Sequence, residues 1–151
     1  MSKKILLAGA FVALLLPPFV FVSAAWQAGF DAGAMFSALG AQYAAPRTNL
    51  GVVSGLGLLP IILLSLGVWL VGRLAGGDKR PAFAVAGLVP ILIVIGWSQF
   101  EYWPHFFPER RPPGFPHGLE LVIGPLIFAP AAMAVGLLTA WFALAVKRPT
   151  P

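Results

Sequence analysis

Ionisable side chains cut this sequence into four long stretches that contain none of them. No Asp, Glu, Lys, Arg or His occurs in the 26 residues between Lys4 and Asp31, the 25 between Arg47 and Arg73, the 20 between Arg80 and Glu101, or the 26 between Glu120 and Lys147. A helix needs about 20 mostly apolar residues to cross the hydrocarbon of a bilayer. All four stretches are long enough. A helix also satisfies its own backbone where no water is present to do so. Barrel strands would show short segments alternating between apolar and polar positions, and these stretches do not alternate.

The expected fold is an all-α membrane protein, a four-helix transmembrane bundle. The spans fall at about 5–26, 50–73, 82–101 and 119–146, with longer loops at 27–49 and 102–118, in one domain over residues 1–151. Each span contains proline: Pro17 and Pro18, Pro60, Pro90, then Pro125 and Pro130. Proline removes a backbone donor, so kinked helices are expected. The rest of the composition agrees with a lipid solvent. The chain is 59% hydrophobic and 10% charged, whereas soluble domains carry about 25% charge.

The lysines and arginines set an expected orientation. With the N-terminus inside, Lys3, Lys4, Arg73, Lys79, Arg80, Lys147 and Arg148 lie on the inner side, and Arg47, Arg110 and Arg111 on the outer side. Seven against three favours both ends in the cytoplasm, in a bacterial inner membrane. Trp26, Trp97 and Trp103 fall near the outer ends of their spans, and Trp69 and Trp141 near the inner ends. That is the pattern of interfacial aromatic belts. The first span also has the outline of a signal peptide, with Lys3-Lys4, an apolar run and Val22-Ser23-Ala24. It is read as a retained span, because the uncharged run is too long for such a peptide and Pro17-Pro18 interrupts it.

The net charge of +5 does not point to nucleic acid. The basic residues sit at span ends, where they meet lipid headgroups. Membrane lipid and other membrane subunits are the expected partners. The chain has no cysteine, which excludes disulfides, thiolate metal sites and a cysteine nucleophile.

Three sets of residues are candidates for function. His105, His117, Glu101 and Glu109 cluster around the 102–118 loop and offer nitrogen and oxygen ligands of the kind that hold Zn, Cu or Fe. Proline 104 argues against a regular helix through that cluster, and no known metal-binding spacing is present. Trp103, Phe106 and Phe107, held among prolines, are a candidate docking surface for a partner. Gly51 and Gly55 on the second span, and Ala132, Gly136 and Ala140 on the fourth, recur every four residues, a spacing that lets helix backbones approach closely.

No acid, base or nucleophile constellation marks an enzyme, and no cofactor is assigned. The spans lack the ionisable residues that usually mark ion paths. The expected function is a non-catalytic accessory subunit of a larger membrane complex, such as an energy-converting one. The alternatives are a small membrane enzyme or metal-binding protein built on the His/Glu loop, and a small transporter or channel.

Overall fold

A computed structural model of the chain describes residues 1–46, 49–74, 77–107 and 118–146. Helix α1 spans Ser2–Gln27, α2 Ala32–Tyr43, α3 Leu50–Leu74 and α4 Arg80–Phe106. The last span starts as a short α5, Glu120–Ile123, widens into a π-turn at Gly124–Phe128, and continues as α6, Ala129–Val146. No strand occurs among the described residues. Among the described residues, four helices are long and apolar enough to cross a membrane. The 26 residues of α1 reach roughly 39 Å at helical rise, enough to span the hydrocarbon with a margin at each side.

The turns are specified locally. Gly29 ends α1 with a positive φ of 87°. Its N–H donates to Trp26 O, and the Phe30 N–H donates back to Ala25 O at 3.2 Å. This paired reverse bonding closes a helix around a left-handed residue, a conformation glycine adopts without a Cβ penalty. Asp31 then caps α2, its Oδ1 accepting the Ala34 N–H at 2.8 Å. Asn49 joins α2 to α3. Its Oδ1 accepts the Val52 N–H at 3.1 Å, and its Nδ2 donates to Tyr43 O. Asn49→Ala should lower stability by about 1 kcal/mol, the usual cost of losing such a cap. An unchanged unfolding midpoint in detergent would show that the α2–α3 connection does not depend on it.

Helix α4 is the centre of the bundle. It packs against α1, α3 and α6, and α1 and α6 share no contact among the described residues. The register is readable from close approaches. A Cβ added to Gly9 would meet Leu88, one on Gly57 would meet Ala13 and Ile95, and one on Gly87 would meet Leu64. Thus α1 and α4 run parallel, with α3 antiparallel to both. Gly124 faces Ser98 and Gly136 faces Ala86, so the last span runs antiparallel to α4. Two buried clusters follow among the described residues. One, at the α2 end, centres on Phe21, Leu50, Trp103 and Leu121. The other, toward the end where the chain starts, centres on Leu64, Phe83, Leu88 and Ile91.

Proline and glycine are paired across helices. An α-helical N–H bonds the carbonyl four residues earlier, so Pro90 leaves Ala86 O without its usual donor. A Cβ on Gly136 would stand 2.0 Å from that oxygen. The hydrogen glycine carries in place of Cβ therefore points at the freed carbonyl, in the manner of a Cα–H···O contact. Pro17 likewise frees Ala13 O, which lies 3.7 Å from an added Cβ on Gly57. This accounts for two of the prolines within the spans.

One expectation about proline is corrected, and Gly51 and Gly55 lie on the outer face of α3 rather than inside the bundle. Gly51 and Gly55 are exposed, and nothing lies within 4 Å of an added Cβ at Gly55. They do not pack the bundle, because the buried face of α3 runs through Leu50, Ser54, Gly57 and Ile61 instead. The expected loop from residue 102 starts later, since α4 continues through Pro104 to Phe106. One proline removes one backbone bond, and the aromatic packing around Trp103 holds the last turn together.

Candidate functional site

At the α2 end the side chains of α4 form an aromatic layer. Trp103 is fully buried and Phe107 nearly so. The Trp103 ring meets Phe21 edge-on at 5.1 Å and Tyr102 at 4.7 Å. Phe107 packs against Phe21 at 5.7 Å and Phe30 at 5.2 Å, and Phe106 is half-buried between Tyr102, Trp103 and Phe107. Such edge-to-face arrangements favour the quadrupoles of the rings. The docking surface expected of Trp103, Phe106 and Phe107 is therefore corrected for Trp103 and Phe107, which belong to the chain's own core, with Phe106 packed half-buried against them. Trp103 also departs from the aromatic belt. Trp26, Trp69, Trp97 and Trp141 all face outward.

The His/Glu candidates divide. Glu101 and His105 lie on the last turns of α4, four residues apart and so on one face. The His105 Nδ1 bonds Glu101 O at 2.7 Å. A carbonyl only accepts, so Nδ1 is the donor in this bond. Glu109 and His117 lie outside the described residues. Among the described residues, no group of three or more His, Cys, Asp or Glu side chains could hold a metal ion.

A buried polar layer was missed by counting charges. Gln99 is fully buried on α4, and its Oε1 accepts the Trp103 Nε1–H at 2.7 Å. Its Nε2 has no hydrogen-bond partner, nor has the buried hydroxyl of Ser54 on α3. Ser23, Ser65, Ser98 and Thr139 all donate back to a carbonyl of their own helix. The available signal was an amide in a span four residues before a tryptophan, a spacing that brings the two side chains together on a helix. Gln99 orients Trp103 and so fixes the aromatic layer.

The third feature is a lateral groove between α4 and α6. Val85, Ala86 and Val89 form one wall, and Ala132, Gly136 and Ala140 the other, with Thr139 at its edge. Gly136 makes the floor, where α6 comes closest to α4. The small residues on α6 leave room that a bulkier stripe would fill. Comparison with known proteins gives no match: no protein-family model, no curated protein and no solved structure matches this chain.

Proposed function

We propose that this chain is a non-catalytic accessory subunit of a larger membrane complex, embedded in a bacterial inner membrane with both ends in the cytoplasm. The observation that carries the reading is the groove between α4 and α6. It is apolar, it opens sideways into the membrane, and Ala132, Gly136 and Ala140 line it. Gly136 already brings α6 onto α4, and the small residues on either side of it leave a trough shallow enough for a further transmembrane helix to approach. A partner's helix seated there would bury Val135, which lines the groove and now faces outward.

Purification in mild detergent tests this. The chain should co-migrate with larger membrane proteins. Thr139→Trp, which fills the groove from an exposed position, should release it at the size of the chain alone. Leu138→Trp, one residue round the helix and not in the groove lining, should leave the complex intact. Migration of the parent chain at its own mass in every detergent would overturn the reading.

The orientation rests on the asymmetry of basic residues described above. A reporter fused after Pro151 should read as cytoplasmic, and one inserted near Arg111 as exported. The reverse at either site would refute the orientation.

A further inference from the structure

From a second groove, between α1 and α3, we infer that the chain holds an anionic phospholipid at a defined site. The groove has a volume of about 430 Å³. Its α1 wall is Leu6, Leu7 and Ala10, and its α3 wall Leu58, Ile61 and Ile62. Ser65 also lines it, but its hydroxyl is taken up by Ile61 O and Ile62 O of its own helix. The walls therefore offer an acyl chain continuous apolar contact.

One end of the groove is charged. Lys3 lines it directly. Arg73 lies beyond the groove lining, two four-residue steps from Ser65 along α3 by way of Trp69, which keeps it on roughly the same side of the helix. The Arg73 guanidinium lies over the Trp69 ring, 4.1 Å from its centre. That stacking holds the cation in place while its N–H edge stays free for a phosphate. Both cations lie at the end of the bundle where α1 begins and α3 ends. A tryptophan at that level suits the headgroup region of a bilayer. The occupant that matches an apolar trough ending in two cations is a lipid with an anionic headgroup. Its tail lies along Leu6, Ala10 and Ile61, and its phosphate meets Lys3 and Arg73. The site lies on the α1–α3 side and stands whether or not the α4–α6 groove receives a partner.

Phosphatidylglycerol and phosphatidylcholine with identical acyl chains can be titrated into the delipidated chain in neutral detergent. Bound lipid is then counted by native mass spectrometry. Phosphatidylglycerol should be retained more tightly. Lys3→Gln and Arg73→Gln should each weaken it by about fivefold, the scale expected of one basic residue at an anionic lipid, and leave phosphatidylcholine unchanged. Lys3→Arg should keep the preference. Ile62→Trp, which fills the groove from an exposed position, should weaken both lipids. Lys79→Gln is the control, a basic residue that caps α4 and so lies on neither helix that walls the groove. Equal retention of the two lipids would overturn the site. So would a loss in Lys79→Gln as large as in Lys3→Gln, since that is the signature of diffuse surface charge. No effect of Ile62→Trp would remove the groove from the account.

Discussion

Alanine in place of Gly136 should force α6 away from α4. The added methyl would stand 2.0 Å from Ala86 O and 3.1 Å from Pro90 Cγ. Neither a helix carbonyl nor a proline ring can swing aside, so the helix itself must move. Overpacking of this kind costs about 1–3 kcal/mol, and the Cα–H contact to the freed carbonyl is lost as well. The measurement is the unfolding midpoint of the purified chain in detergent. Gly55→Ala is the matched control. It faces open space, and alanine favours helix over glycine by about 1 kcal/mol. The midpoint should fall for Gly136→Ala and hold or rise for Gly55→Ala. Equal shifts would mean that the α4–α6 register described here is wrong.

The second large effect is expected at Trp103. Truncation to alanine empties the middle of the aromatic layer, removing the edge contacts to Phe21 and Tyr102. It also leaves the Gln99 amide buried with no partner for its oxygen. Core aromatic truncations cost about 3–5 kcal/mol, and a smaller loss is expected from Gln99→Leu, which leaves one buried indole N–H unpaired at about 1–3 kcal/mol. Both losses should appear in the isolated chain, without any partner present. If Trp103→Ala left the isolated chain as stable as its parent and weakened only its assembly with another protein, the ring would face a partner and the buried aromatic layer would be wrong.

The four spans were legible because charge spacing is a one-dimensional signal and lipid enforces it. Ionisable residues are excluded from the hydrocarbon, so the uncharged runs coincide with α1, α3, α4 and the α5–α6 span. Helix faces were not legible in the same way. In lipid both the buried and the exposed sides of a helix are apolar, and hydrophobic periodicity loses its contrast. That is why the spacing of Gly51 and Gly55 does not tell which face of α3 turns inward, whereas Gly57 is the glycine that packs inside the bundle. Only the neighbouring helix shows that Ala13 and Ile95 approach Gly57. The end of α4 failed for a related reason. Pro104 reads locally as a stop, while the contacts that carry the helix past it come from Phe21 on α1 and Leu121 on α5. Trp103 was misread because a tryptophan near a span end is usually interfacial, and its acceptor, Gln99, carries no charge to draw attention. Glu109 and His117 lie outside the described residues, so the metal reading of the loop keeps only His105 and Glu101 with known positions.

The groove between α4 and α6 is the feature on which the functional account turns, and a photo-reactive side chain placed at Thr139 probes it in native membranes. Irradiation should join the chain to one distinct integral membrane protein, identified by mass spectrometry. The same probe at Phe142, exposed on α6 and outside the groove lining, should not capture it. Capture of lipid alone at Thr139, or of only a second copy of this chain, would contradict the proposal that it is a subunit of a larger complex.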